Sequence, residues 1–105
     1  MASKLRLDFS IVIYKEDGWW IAHCLETDLP AEGKTPNAAL KNLIELTNFQ
    51  LEAALEEGNL ASIFTAAPPH LWTMYASSGD MALEKFPRKP NKSVNRLSVR
   101  ELVSA

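Results

Sequence analysis

Side chains that could act as nucleophiles or bind metals are few in this chain of 105 residues, which has one cysteine, Cys24, and two histidines, His23 and His70. His23 and Cys24 are adjacent, and neighbouring residues of a strand point to opposite faces of the sheet, so they cannot form a Cys–His nucleophile or share a metal. His70 follows a pair of prolines and has no spaced ligand nearby. The sequence therefore predicts no catalytic residue, no metal site and no cofactor, and thus a protein that is not an enzyme.

Acidic residues offer the other possible chemistry. Glu26, Asp28 and Glu32 lie within seven positions, and Asp8 lies on the first predicted strand. Carboxylates that converge on one point hold Mg²⁺ in metal nucleases. These carboxylates lie mostly in a polar connection, where charged side chains are normally solvated. We therefore interpret them as an acidic surface rather than a metal site.

The elements that position these residues begin with a hairpin. Residues 5–14 alternate with period two, which predicts a first strand. Residues 15–18 predict the hairpin connection, in which Gly18 supplies a positive φ and Asp17 tolerates the turn. A second strand follows over residues 19–25, and both of its faces are largely apolar, as in a central strand. Trp19, Ile21, His23 and Leu25 share one of its faces. Residues 29–34 predict a short third strand, with Pro30 suited to a sheet edge.

A long amphipathic helix follows. Thr35 is its N-cap, Pro36 its first residue, and Gly58 lies just past its end, which predicts a helix of about 22 residues. A core-facing stripe at helical spacing consists of Leu40, Leu43, Ile44, Thr47, Leu51, Ala54 and Leu55. Glu45 and Glu52 lie on the outer face of the helix.

Together these elements predict one α+β domain over residues 1–105, with a core over 4–58 and a C-terminal extension over 59–105. The core is a small, mostly antiparallel sheet of three or four strands packed against the long helix. In the extension, Pro68-Pro69 predicts the start of a second helix, residues 87–92 an exposed connection, and residues 96–100 a final strand.

Charge is distributed unevenly along the chain. Residues 1–84 have a net charge of −7, residues 85–105 have +5, and the total is −2. The basic segment suits a solvated tail, an arm lying on the acidic helix of its own or a neighbouring subunit, or a nucleic-acid contact. The nucleic-acid alternative would use Arg88, Lys89, Lys92 and Arg96. Phe86 is the one aromatic residue of the segment and no reading helix is predicted, so DNA is not an expected partner.

Three stretches resemble the HicB-like antitoxin family when their order and spacing are taken together. They are IYKEDGWW at residues 13–20, DLP at residues 28–30 and EGKTPNAALKNL at residues 32–43. The stretches that match and the segments between them cover about half of the chain. The resemblance implies a partial ribonuclease H-like domain that self-associates and binds a small basic toxin, which has a double-stranded-RNA-binding-like fold and cleaves RNA. Many members have Gly-Cys after Leu-Pro, whereas this chain has Ala31-Glu32.

Many family members also end in a DNA-binding ribbon-helix-helix or helix-turn-helix module. A ribbon-helix-helix module has a strand followed by two helices, whereas residues 60–105 predict a helix followed by a strand. The chain therefore resembles a solitary HicB-like protein with a different tail. Its predicted function is a non-enzymatic protein-interaction module, with or without a toxin partner, and a nucleic-acid-binding regulator is the alternative. Partner contacts are predicted at Glu26, Asp28, Glu32, Glu45 and Glu52.

Self-association is predicted on the sheet face that the long helix leaves free. A two-layer domain covers one sheet face with its helix, and the other face stays exposed unless a second copy or a tail covers it. We assign Val12, Tyr14 and Trp20 to this face, as the interface of a homodimer or higher oligomer that uses the face or the adjacent sheet edge.

The expected compartment is the cytoplasm. No apolar run approaches the roughly 20 residues that a membrane-spanning helix needs. The N-terminus has no signal-peptide pattern, and a single cysteine agrees with a reducing environment.

Overall fold

The structure, a computed structural model, describes residues 7–80 and 94–101. The elements in chain order are β1 (Leu7–Glu16), β2 (Trp19–Cys24), β3 (Leu29–Gly33), α1 (Pro36–Glu56), a 3-10 turn (Leu60–Ile63), α2 (Pro69–Ala76), β4 (Gly79–Asp80) and β5 (Val94–Glu101). Within these residues the strands form one sheet in the order β3-β2-β1-β5-β4. β1, β2 and β3 are antiparallel neighbours, whereas β5 runs parallel to β1. The predicted α+β class is confirmed, with five strands instead of three or four.

The β1–β2 hairpin is closed by a two-residue turn at Asp17-Gly18, because β1 continues through the first two residues of the predicted connection over residues 15–18. Asp17 has φ 51° and Gly18 has φ 82°, and both values are in the left-handed region that a tight hairpin turn requires. The turn pairs Glu16 with Trp19 and thereby sets the register of the whole ladder.

The junction between β3 and α1 depends on a close backbone approach. A Cβ atom on Gly33 would lie 2.5 Å from the backbone nitrogen of Ala39, so a side chain does not fit there. The Thr35 hydroxyl accepts a hydrogen bond from the backbone N–H of Ala38 at 3.0 Å, which confirms the predicted N-cap. The helix has 21 residues, starting at Pro36.

α1 packs on one face of the sheet. The residues buried between them include Phe9, Ile11, Ile13, Ala22, Cys24 and Ala31 from the strands and Leu40, Leu43, Ile44, Leu51 and Ala54 from the helix. Leu55 lies at the edge of the predicted stripe and is 44% exposed, so its assignment to the core is wrong. Ala39, outside the predicted stripe, is buried because Gly33 lets the helix come close.

α2, which belongs to the C-terminal extension, packs on the opposite face, so the chain's own extension covers part of the face that we assigned to self-association. Val12, Leu25, Ala67 and Leu71 form a second, smaller core there. Two backbone hydrogen bonds hold the segment before α2 against the residues that follow β2. One is donated by the Thr65 N–H to the Glu26 carbonyl at 3.0 Å, and the other by the Ala67 N–H to the Leu25 carbonyl at 2.9 Å.

The predicted final strand is present as β5. Arg100 Nη1 donates a hydrogen bond to the Tyr75 carbonyl at 3.2 Å, and its guanidinium lies 4.6 Å from the centre of the Tyr75 ring. This part of the basic segment therefore joins the sheet and contacts α2, whereas the predicted connection over residues 87–92 lies outside the described residues. In the described part of the chain, the helices are too short or too polar to cross a membrane.

Candidate binding groove on the second face of the sheet

The face that carries α2 stays open toward the β1–β2 hairpin. α2 has eight residues and covers the sheet around Val12 and Leu25. Beyond it lies an open groove with a volume of about 460 Å³, which is in the usual range for binding pockets. Residues that line the groove include Tyr14, Glu16, Ile21, His23, Pro30 and Glu32.

Strand pairing explains why these residues meet. β1 pairs Tyr14 with Ile21, and β3 pairs Glu32 with the same Ile21. Residues directly opposite each other on neighbouring strands point to the same face. Tyr14, Ile21 and Glu32 therefore form one row across the groove, and His23 lies in the next row, between Val12 and Pro30.

A contact with Asp28 holds the His23 ring. Nε2 of His23 lies 2.6 Å from Oδ1 of Asp28. Asp28 has φ 55° in the turn between β2 and β3, a conformation that aspartate tolerates better than most residues. His23 is 9% exposed, and its Nδ1 atom is buried without a protein hydrogen-bond partner. The contact thus joins the floor of the groove to the turn beside it.

Negative charge surrounds the groove. Glu16 and Glu32 are exposed, and Asp28 is half-buried. Burial raises the pKa of Tyr14, and the charges of Glu16 and then Asp28 raise that pKa further. Because its phenolate form is disfavoured, Tyr14 presents a neutral hydroxyl at pH 7. Carboxylates around a Tyr14–Ile21 floor suit a cationic group on an apolar stem, such as a lysine or arginine side chain.

The single thiol does not face the groove. Cys24 is buried in the α1 core, where its Sγ lies 3.8 Å from Oε1 of Glu26. Burial is the main cause that raises its pKa from 9.0 to about 11, so the thiol is protonated at pH 7 and weakly nucleophilic. Across residues 7–80 and 94–101, no three His, Cys, Asp or Glu side chains are grouped so that they could hold a metal ion. The arrangement of the groove supports binding of a cationic group.

The acidic residues predicted as partner contacts do not form one surface. Glu32 lines the groove, and Asp28 lies next to it through His23. Glu26 has an internal role instead, because its Oε1 accepts the backbone N–H of Ser10 at 2.7 Å. That bond connects the end of β2 to β1, and a partner contact at Glu26 stays a prediction.

Glu45 and Glu52 lie elsewhere. Both are exposed on α1, which packs on the opposite face of the sheet from the groove. They flank the exposed side chains of Leu46 and Phe49. The structure therefore places Asp28 and Glu32 at or beside the groove, and Glu45 and Glu52 on α1 at the opposite face of the sheet.

The prediction that Val12, Tyr14 and Trp20 share an exposed face is wrong. Trp20 packs against the α1 core, with the Lys15 ammonium 5.8 Å from its ring centre. Val12 is fully buried beneath α2, and of the three Tyr14 alone borders the groove. The reason is strand parity: Ile21 is the residue opposite Tyr14, so its neighbour Trp20 points to the other face.

The nucleic-acid alternative rests on residues whose side chains the structure does not describe. Arg88, Lys89 and Lys92 lie outside the described residues, and Arg96 lies in β5, where it pairs with Asp8 of β1 in the strand register. A nucleic-acid contact therefore stays a prediction from the sequence.

Sequence reasoning missed Glu16, Ile21 and His23 as groove residues. A usable signal was present, because a two-residue turn at Asp17-Gly18 dictates that Glu16 is opposite Trp19. Counting outward from that pair places Ile21 opposite Tyr14 and His23 opposite Val12. The extent of the groove was not accessible in this way, because α2 determines where the sheet is covered.

Comparison with known proteins identifies no relative: no family model, no curated protein and no solved structure matches this chain.

Proposed function

We propose that this protein is a non-enzymatic protein-interaction module that binds a basic partner through the acidic groove. The observation that carries the proposal is an open groove with an apolar Tyr14–Ile21 floor and the exposed carboxylates of Glu16 and Glu32 along its sides. In the HicB-like interpretation of the sequence, the module is an antitoxin and the partner is a small basic RNA-cleaving toxin that it masks.

Binding would use both the floor and the walls of the groove. The stem of a lysine or arginine from the partner packs on Tyr14 and Ile21, and its charged head reaches Glu16 or Glu32. Glu16 and Glu32 are exposed, so dissolved salt screens their attraction for the charged head. We therefore expect affinity that falls as the salt concentration rises.

The test starts with the tagged full-length chain in a nuclease-treated extract of its native host. A captured basic protein is purified and titrated by calorimetry against two double variants, Glu16→Gln/Glu32→Gln and Glu45→Gln/Glu52→Gln. Each variant removes two negative charges. A difference in affinity between the two variants therefore depends on where the charges lie and not on the net charge of the protein. We expect the groove variant to bind at least about tenfold more weakly, and the helix variant to stay within about threefold of wild type.

Two outcomes would contradict the proposal. One is recovery of the bait alone, which would leave a solitary module. The other is an affinity that the groove variant does not lower more than the helix variant does.

Self-association also stays a prediction, although α2 covers part of the face predicted for it. Light scattering at micromolar concentration measures it directly, and a monomer would contradict it.

A further inference from the structure

α1 exposes two large apolar side chains, Leu46 and Phe49, on the side that faces away from the core, and Asn42 and Ala53 lie in line with them. We call Asn42, Leu46, Phe49 and Ala53 the outer seam. They are spaced four, three and four residues apart, which is the spacing that aligns one helix face with a partner helix. Phe49 is 75% exposed and Leu46 is 44% exposed, and neither belongs to the core. Large apolar side chains exposed in a row mark an interaction surface.

The outer seam begins beside the edge strand β3. Asn42 Nδ2 donates a hydrogen bond to the Glu32 carbonyl at 2.9 Å. Pro30, in the same strand, has no backbone N–H to offer. Two positions of this edge are therefore closed to an added strand, which favours a partner that docks through side chains.

Charge on α1 defines the partner further. Glu45 precedes Leu46 by one residue and Glu52 precedes Ala53 by one residue, so both carboxylates lie on the same flank of the seam. Glu56 adds a third negative charge, and Lys41 is the single basic residue of the helix. Flanking charges of opposite sign select the partner in paired helices.

A second copy of this chain fits the seam poorly. An antiparallel pairing that sets Leu46 against Phe49 of the second copy also brings Glu45 beside Glu52 of that copy. A parallel pairing brings Glu52 beside Glu57 of the second copy. Either arrangement places like charges together at the flank, which is destabilising.

We propose that the outer seam docks an amphipathic helix of a partner protein, with apolar residues on the seam and lysine or arginine beside Glu45 and Glu52. This mode of recognition lays an apolar helix face against a complementary apolar surface. It does not depend on the groove, because α1 and the groove lie on opposite faces of the sheet.

The probe is a designed helical peptide with leucines at seam spacing and lysines on the flanks, and its control is a scrambled peptide of the same composition. Leu46→Glu is compared with Leu55→Glu in the full-length chain. Both leucines are 44% exposed, and nine residues place them two and a half turns apart, on opposite sides of α1. We expect Leu46→Glu to weaken binding of the peptide at least about tenfold, and Leu55→Glu to leave it within about twofold.

Phe49→Gln repeats the test at a side chain that is too exposed to affect folding. Circular dichroism verifies that each variant is folded. Glu45→Gln/Glu52→Gln should weaken binding and reduce its salt dependence. The inference is overturned if the scrambled peptide binds equally well, if Leu55→Glu is as damaging as Leu46→Glu, or if the wild-type chain forms a dimer that Leu46→Glu abolishes.

Discussion

Nε2 of His23 lies 2.6 Å from Oδ1 of Asp28, and this contact links β2 to the turn that precedes β3. The side chain of His23 is 11% exposed and that of Asp28 is 36% exposed, so the contact is partly shielded from water. Asp28 supplies both the acceptor oxygen and a residue type suited to φ 55°. Asp28 therefore contributes both to the geometry beside the groove and to the negative charge around it.

Two substitutions of Asp28 should lower stability by different amounts, because one removes both the contact and the tolerance for positive φ and the other retains them. Asp28→Ala loses the contact and the tolerance for positive φ, and we expect the free energy of unfolding to fall by about 1–2 kcal/mol. Asp28→Asn keeps the tolerance and an acceptor oxygen, so it should cost less than about 1 kcal/mol. Urea denaturation followed by tryptophan fluorescence measures both, and equal stability of Asp28→Ala and wild type would show that the contact does not stabilise the fold.

Tyr14 should report the charge of the groove directly. Burial raises its pKa, and so do Glu16 and Asp28, so Glu16→Gln should lower that pKa toward 10.0. Glu45→Gln, on the opposite side of the sheet, should leave it unchanged. Titration of phenolate absorbance gives the value once the curve of Tyr14→Phe, which retains Tyr75, is subtracted. An identical curve for Glu16→Gln and Glu45→Gln would mean that Glu16 does not act on the groove.

Features set by adjacent residues were predictable from the sequence. Asp17-Gly18 requires a turn because few other residue pairs accept two positive φ values in succession. Thr35-Pro36 starts a helix because the hydroxyl replaces a missing backbone acceptor and proline lacks the N–H that would be unpaired.

Features set by distant residues were not predictable. The sequence pattern predicts that Val12 lies on an exposed sheet face, but Leu71, far along the chain, packs on it. The parallel pairing of β1 with β5 depends likewise on a long connection. The contact of Asp28 with His23 depends on the positive φ of Asp28. Aspartate can adopt such an angle, but its presence in the sequence does not show that it does. The groove therefore emerges from tertiary packing, although the strand register that builds its floor is local.

Cys24 should be unreactive in the folded protein. Its pKa, raised from 9.0 to about 11, leaves little thiolate at pH 8, and its side chain is 1% exposed. We expect labelling by a maleimide to be slow in buffer and rapid in urea, as mass spectrometry would show. Rapid labelling of the folded chain would contradict the burial of this residue.

The same pKa shift predicts how stability changes at high pH. Between pH 9 and about 11 the folded state retains a proton on Cys24 that the unfolded state has lost, so stability is full below pH 9 and falls as the pH rises through this window. The loss should be about 1–3 kcal/mol. Cys24→Ala removes the titrating group, so its stability should fall less between about pH 8 and about pH 10.5. Equal losses in both proteins would assign the pH dependence to other groups.

Gly18 lies in the β1–β2 turn and Gly33 is the last residue of β3. Asparagine should be tolerated at Gly18 and not at Gly33. Gly18 has φ 82°, and a Cβ atom added there would meet nothing within 4 Å. Asparagine accepts positive φ, so Gly18→Asn should change stability by less than about 1 kcal/mol. At Gly33 a Cβ would lie 2.5 Å from the nitrogen of Ala39, so any side chain must push β3 and α1 apart. We expect Gly33→Asn to cost about 2–4 kcal/mol because backbone atoms cannot move aside as a flexible side chain would. Thermal unfolding of the two variants tests the contrast, and similar melting temperatures would show that the β3–α1 junction can relax.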